Sequence, residues 1–281
     1  MSSQNFVSTA WLSAHLGALD LGLIDASWHL PPTGRNGAEE FLQRHIPGAV
    51  FFDIDVIADN STGLPHMLPD SGQMAEQMSM LGLADGKHFV IYDSLGLFAA
   101  ARVWWMLRAY GAREVKILEG GLPQWLAEGR ATQSGQANPV RSKFTPRFDA
   151  SFVIDLDELR ALLASGAAQI VDARPAARYR GQAPEPRPGL KSGHIPGTLN
   201  LPFTEVVGAG KLRSGADLRA AFAKARIDLQ RPIATTCGSG VTAAILALAV
   251  EEAGGTFVGL YDGSFAQWGS RADCPVKTGA S

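Results

Sequence analysis

The residue types best able to do covalent chemistry converge on one short stretch, Thr235-Thr-Cys-Gly-Ser-Gly-Val-Thr-Ala243. Cys237 follows an apolar run, Pro232-Ile-Ala-Thr-Thr236, that reads as a short buried strand. Val241 to Ala253 reads as a helix closed by Gly254-Gly255. The thiol therefore stands at a strand-to-helix junction, in a glycine-containing loop whose backbone N–H groups can converge on one point. Such a nest at the positive end of a helix stabilises an anion. Here that anion is the thiolate, the nucleophilic form of sulfur. The local sequence leaves a plainer reading open: an isolated cysteine is commonly an inert core residue, and nearby glycines also mark tight turns.

The elements that must position this thiol belong to a chain with an ordinary globular composition. A length of 281 residues suffices for one large domain or two of usual size. With 46% hydrophobic and 19% charged residues it can build a full core. A formal net charge of −2 gives no reason to expect nucleic acid or an acidic membrane as partner. A small anionic substrate needs a local positive site instead. Only two cysteines occur, and neither a C-x-x-C pair nor a Cys/His cluster is present, so no metal and no cofactor are expected. Cys274, in Ala272-Asp-Cys-Pro275, lacks the strand-loop-helix setting and reads as structural. The N-terminal Met-Ser-Ser-Gln-Asn-Phe has neither the basic nor the apolar region of a secretory signal. The apolar run Ala243 to Val250 is too short to span a bilayer. A cytoplasmic location is expected, where reducing conditions keep Cys237 a thiol.

The chain repeats itself once. Leu23-Ile-Asp-Ala26 recurs as Ile170-Val-Asp-Ala173, and His45-Ile-Pro-Gly-Ala49 as His194-Ile-Pro-Gly-Thr198. Leu118-Glu-Gly-Gly-Leu-Pro-Gln-Trp125 recurs as Leu260-Tyr-Asp-Gly-Ser-Phe-Ala-Gln-Trp268. Three matches in one order at nearly constant spacing indicate tandem duplication of a domain. The reading is an N-terminal domain over 1–130, a Ser/Gln/Asn/Pro-rich linker over 131–148 and a C-terminal domain over 149–281. Within each copy short apolar runs alternate with helical patterns, which predicts α/β domains with a parallel sheet covered by helices on both faces. Ligands of such sheets sit at the carboxyl ends of the strands, where Cys237 falls. The first copy has Asp93 at the corresponding strand end and no cysteine, so the nucleophile is expected in the C-terminal copy, with the N-terminal copy helping to shape the cleft. His45 and His194 occur in both copies, and that symmetry argues for a structural role.

A duplicated α/β domain with His-Ile-Pro-Gly in each copy and one loop cysteine resembles the rhodanese family of sulfurtransferases, over roughly Phe6 to Val276. The loop Cys237-Gly-Ser-Gly-Val-Thr-Ala243 is similar to the branch acting on 3-mercaptopyruvate, and the thiosulfate-using branch typically carries Arg-Lys where this chain has Gly238-Ser239. Phe51-Phe-Asp-Ile-Asp55, His66-Met-Leu-Pro69, Trp104-Trp-Met106, Glu185-Pro-Arg187 and Tyr261-Asp-Gly263 agree with the first branch. The loop difference also has a physical reading. Thiosulfate is a dianion charged close to the sulfur being moved, so loop cations favour it. Mercaptopyruvate is a monoanion with two carbons between sulfur and carboxylate, so its cations belong further off.

The resemblance implies that Arg178 and Arg187 clamp the keto-acid carboxylate and carbonyl, a task suited to a planar guanidinium fork. It implies a Ser-His-Asp arrangement for proton handling at Ser239, His66 and Asp55, the last two from the first domain. Gly238, Gly240, Val241 and Thr242 would supply the N–H cradle around a Cys237 persulfide. Arg174 is expected to pair with a structural carboxylate. The implied acceptors are cyanide, small thiols or thioredoxin. Rival readings are a thiosulfate:cyanide sulfurtransferase and a non-enzymatic rhodanese-like binding module. A cysteine-dependent phosphatase needs Cys-x₅-Arg, and position 243 is alanine.

Overall fold

Short β-branched and aromatic runs form two five-stranded sheets in the computed structural model, which describes residues 4–280. The first copy supplies β1 (Phe6–Val7), β2 (Leu21–Asp25), β3 (Val50–Phe51), β4 (His88–Tyr92) and β5 (Val115–Leu118), in the spatial order β1-β5-β4-β2-β3. The second supplies β6 (Val153–Ile154), β7 (Gln169–Asp172), β8 (Leu199–Asn200), β11 (Ile233–Thr236) and β12 (Phe257–Tyr261), in the order β6-β12-β11-β7-β8. Between β8 and β11 lies a small hairpin of β9 (Val207–Gly208) and β10 (Lys211–Leu212). Every pairing within the two five-stranded sheets is parallel. The two strand orders are the same when corresponding strands are exchanged, so the repeat in sequence is a repeat in topology.

Ten α-helices connect the strands: α1 (Thr9–His15), α2 (Gly37–Gln43), α3 (Ser71–Met80), α4 (Ala100–Ala109), α5 (Gly121–Ala127), α6 (Leu156–Ser165), α7 (Ala176–Tyr179), α8 (Gly215–Lys224), α9 (Val241–Ala253) and α10 (Ser264–Ser270). Alternation along a strand sends side chains to opposite faces. In β4, Val90 and Tyr92 join Leu12 of α1, Phe41 of α2 and Trp125 of α5 in one core cluster. Phe89 and Ile91 point the other way, and both are buried. In the second copy Ile170, Ala234 and Tyr261 pack with Leu159 of α6 and with Phe265 and Trp268 of α10. Both sheets are thus covered on both faces, as the alternation of elements predicts.

The repeated histidines do matching work. His45 Nδ1 lies 2.7 Å from the Phe41 carbonyl of α2, and its ring stacks on Phe41 at 3.9 Å. His194 Nδ1 lies 2.8 Å from the Tyr179 carbonyl that ends α7, and its ring stacks on Tyr179 at 3.9 Å. A carbonyl only accepts, so each Nδ1 carries the proton and satisfies an orphan helix-end acceptor. Each backbone also makes an isolated antiparallel bridge, His45 with Gln133 and His194 with Lys277.

The chain divides into two compact units. The first runs up to Asp59 and takes in Leu68–Asp149 and Ala209–Lys211; the second comprises Asn60–Met67, Ala150–Gly208 and the chain from Leu212. Residues 131–148 hold no helix or strand, yet they are tied to the first unit. Thr145 donates its N–H and hydroxyl to Asp85 at 2.9 and 2.8 Å, and Phe144 is buried. Among the described residues no helix is long and apolar enough to cross a membrane.

One difference between the copies has a measurable consequence. Asp172 has Arg174 as its cation, whereas Asp25 is followed by Ser27, whose N–H it accepts at 2.9 Å. Burial, helped by the nearby Asp93 carboxylate and opposed by hydrogen bonds from Ser27 and Tyr92, pushes Asp25 up to about 6. The folded state then holds this proton more tightly than the unfolded chain, so its contribution to stability falls as pH rises through that value. A displacement of roughly two units corresponds to about 3 kcal/mol. Asp25→Asn keeps the acceptor oxygen and removes the titration. In denaturant unfolding, the wild type should lose about 2–3 kcal/mol relative to Asp25→Asn between about pH 4 and about pH 7.5. A difference that does not vary with pH would contradict the assignment.

Candidate active site

Cys237 follows the last residue of β11 and is buried. Gly240 caps α9 in the left-handed conformation, φ 80°, which glycine adopts without the penalty other residues meet. The N–H groups of the first turn of α9 have no intrahelical acceptor, and the helix dipole adds positive character there. The loop is also held from its far side: Phe265 N–H donates to the Cys237 carbonyl at 2.9 Å and Ala266 N–H to the Gly238 carbonyl at 2.9 Å. In a trans peptide the C=O and the next N–H point in opposite directions. Fixing these two carbonyls against α10 therefore turns the Gly238 and Ser239 N–H groups the other way.

The first copy shows what such a junction needs. Asp93 ends the corresponding strand, and its carboxylate accepts N–H groups from Leu95 at 2.9 Å, Phe98 at 2.7 Å and Ala100 at 2.9 Å. An internal carboxyl group fills that cradle. Burial raises the pKa of Asp93, against the lowering effect of these hydrogen bonds. Leu122 N–H holds the Asp93 carbonyl at 3.1 Å, as Phe265 holds that of Cys237. At the start of the holding helix the first copy uses Gly121 at φ 53°, where a Cβ would stand 2.6 Å from the Asp93 carbonyl oxygen. The second copy puts Ser264 there at φ 50°, fully buried, its hydroxyl donating to the Tyr261 carbonyl at 2.9 Å. Ser264, Phe265 and Ala266 carry no chemical group that would have marked them in the sequence; only the aligned repeat points to them.

The arginine-rich stretch after β7 is ordered by ion pairs, and Arg174 meets the structural carboxylate expected for it. It contains the short helix α7, and Arg174 is fully buried against Asp172, Nη2 to Oδ2 2.6 Å. Arg174 also donates to Glu185 Oε1 at 2.8 Å and to the Gly193 carbonyl at 3.0 Å, and its guanidinium lies 3.8 Å over the Phe265 ring. Glu185 in turn grips Arg178, through Nε at 3.2 Å and through a shorter bond to Nη2. Side-chain exposure along this chain is 0% for Asp172, 1% for Arg174, 2% for Glu185 and 17% for Arg178. Arg178 is thus the accessible end of a buried relay of charges. Its Nη2 would lie 3.0 Å from a Cβ on Gly238, which puts the guanidinium beside the thiol loop.

His66 is first-copy in sequence but belongs to the second compact unit. It is buried and sits at φ 60°, a strained conformation for a non-glycine residue. Its Nδ1 stands 3.1 Å from Ser239 Oγ and 3.2 Å from the Ser239 carbonyl oxygen. With the proton on Nδ1 the ring donates to that carbonyl; with Nδ1 bare it accepts from the hydroxyl. Cys237, Ser239, His66 and Arg178 are therefore brought to one loop. Asp55 lies in the first unit, where it accepts the Trp28 indole N–H at 2.8 Å, and Arg187 is half-buried in the irregular stretch after Glu185. Cys274 is buried and accepts from Arg160 at 3.4 Å. No cluster of His, Cys, Asp and Glu among the described residues could hold a metal.

Two copies of one parallel α/β domain, one with a buried thiol after its central strand and the other with a carboxylate cradled by backbone N–H groups there, define a tandem-domain protein. The pattern of the rhodanese-like domain matches residues 8–128 and 155–271, and the chain belongs to that family. The 3-mercaptopyruvate sulfurtransferase of Escherichia coli K12 is 42% identical over 278 residues, covering 99% of both chains. The human 3-mercaptopyruvate sulfurtransferase is 42% identical over 273 residues, 95% of this chain and 92% of its own. The crystal structure of SseA from Escherichia coli, described as a 3-mercaptopyruvate sulfotransferase with the rhodanese fold, superposes with a TM-score of 0.86 at 40% identity, over 92% of this chain and 98% of that one.

The placement of Arg178 can be tested on the thiol alone. An arginine beside the loop should favour attack on an anionic reagent over a neutral one. Arg178→Ala should slow alkylation of Cys237 by iodoacetate about tenfold, equivalent to about 1.4 kcal/mol, while iodoacetamide changes less than about twofold. Peptide mass spectrometry reads both rates. Equal slowing of the two reagents would show that the guanidinium does not act on the charge.

Proposed function

We propose that this chain is a sulfurtransferase that takes the sulfur of 3-mercaptopyruvate onto Cys237 as a persulfide, releases pyruvate and passes the outer sulfur to an acceptor. The observation that carries the reading is a buried loop thiol at the N-terminus of α9 with a neutral Gly238-Ser239 beside it and a carboxylate-anchored Arg178 at its edge. The Cys237 thiolate attacks the substrate sulfur, the S–C bond breaks, and its electron pair passes to the carbon as pyruvate enolate. The substrate thiol proton balances the step by ending on that carbon, leaving a Cys237 persulfide anion. The N–H groups of Gly238, Gly240, Val241 and Thr242, the residues of the loop and the first helical turn, suit an anion of that kind.

Arg178 and Arg187 are assigned the carboxylate and carbonyl of the substrate. Anchoring by Glu185 occupies the Nε and Nη2 edge of Arg178 and fixes its plane, which lowers the entropy lost on forming a bidentate contact. Proton movement is assigned to Ser239 and His66, a pair within hydrogen-bond reach. Asp55 enters as their carboxylate member on the family resemblance. In the second half-reaction cyanide, a small thiol or reduced thioredoxin attacks the outer sulfur and the Cys237 thiolate returns. The C-terminal copy over 149–281 thus carries the nucleophile, and the copy over 1–130 lacks the catalytic cysteine. A reducing, cytoplasmic setting matches a mechanism that needs a free thiol.

Pyruvate release from mercaptopyruvate should exceed thiocyanate formation from thiosulfate plus cyanide, and turnover favouring thiosulfate would overturn the substrate assignment. Cys237→Ser should abolish both, and full activity in that variant would end the covalent mechanism. His66→Ala should lower kcat with mercaptopyruvate by about 10²–10⁴-fold, the usual contribution of a positioned acid or base. Unchanged kcat would remove His66 from proton transfer.

A further inference from the structure

The first copy keeps a second arginine fork built like that of Arg178. Arg35 donates to Glu40 through Nε at 2.6 Å and through Nη2 at 2.8 Å, the same two guanidinium positions by which Arg178 meets Glu185. Its Nη2 also reaches Ser94 Oγ at 3.5 Å. Ser94 follows Asp93 as Gly238 follows Cys237, so both forks lean on the residue after the strand-end anion. The two glutamates stand five and seven residues after their arginines, on the stretch that follows β2 in one copy and β7 in the other. Glu40 is further fixed by His29 Nε2 at 2.9 Å and by the Ser94 hydroxyl at 3.1 Å. His29 is buried, which gives this surface fork an interior anchor.

Beside the fork lies a cleft of about 390 Å³, lined by Arg35, Glu40, Gln43, Arg44, Ser94, Leu122, Pro123 and Leu126. That volume falls within the roughly 300–1,000 Å³ of small-molecule sites. Two arginines against one glutamate leave its polar wall with a net positive charge. Arg44 makes no side-chain hydrogen bond or ion pair among the described residues. Leu122, Pro123 and Leu126 of α5 form an apolar wall opposite, enough for a short carbon skeleton.

We propose that this cleft is a second, non-catalytic binding site that takes a small organic monocarboxylate of pyruvate size. The Nη1 group of Arg35 and the guanidinium of Arg44 hold the carboxylate, and the α5 wall covers the carbon chain. No reaction follows there, because the Asp93 carboxylate that stands in the nucleophile's place is held by three backbone N–H groups. The assignment does not depend on sulfur transfer at Cys237, and either can fail alone.

The test is a titration of the full chain with sodium pyruvate, followed by backbone amide shifts at constant ionic strength. Saturable shifts are expected at Gln43, Arg44 and Ser94, and they should persist in Arg178→Ala/Arg187→Ala. Arg44→Ala, which removes no side-chain hydrogen bond or ion pair among the described residues, should weaken this binding about tenfold. Arg35→Ala should weaken it at least as much, and the neutral acetamide should give no saturable shift. Shifts confined to the Cys237 loop, or shifts at Ser94 unaffected by Arg44→Ala, would overturn the proposal.

Discussion

A β-strand that ends at a helix N-terminus in the middle of a parallel sheet leaves several N–H groups pointing at one buried spot, and that spot needs negative charge. Both copies of this chain meet the same requirement. In the first, Asp93 brings its own carboxylate and three N–H groups close on it. In the second, Cys237 stands at that position, at the N-terminal end of α9. At this strand end the two copies differ by one residue, Asp93 after β4 and Cys237 after β11.

The cationic side of the site follows different physics. Asp172, Arg174 and Glu185 are withdrawn from water, and buried ion pairs rarely gain stability over apolar packing. Their geometry serves position instead. Asp172 ends β7, Arg174 spans from it to Glu185, and Glu185 fixes Arg178 at the loop. The Arg174 guanidinium rests on the Phe265 ring, and Phe265 N–H holds the Cys237 carbonyl. Cation and thiol are thereby referenced to the same residue of α10, which limits independent drift between them.

The repeat, the parallel sheets and the strand-loop-helix setting of Cys237 were all legible in sequence, because they rest on local periodicity and on a pattern occurring twice. The buried relay was less so. Burial of Arg174 depends on Asp172 and Glu185 arriving from either side, which no local pattern encodes. His66 was assigned to the first domain by its place in the chain, whereas Asn60–Met67 packs with the second unit. Sequence order says little about which core a short excursion joins. Residues 131–148 read as a linker from composition, and their ties to Asp85 and His45 come from backbone groups that composition does not reveal.

Two strained residues mark where the copies diverged in purpose. At the start of the helix that pins the strand-end carbonyl, the first copy has glycine at φ 53° and the second has serine at φ 50°. A non-glycine residue in that region costs on the order of 1–3 kcal/mol, which the surrounding contacts must offset. His66, at φ 60°, pays a similar strain beside the same loop. Neither is needed to complete a sheet, since the first copy completes its own with a glycine and an aspartate. Ser264 and His66 therefore keep their conformations only because the packing around the Cys237 loop sustains them.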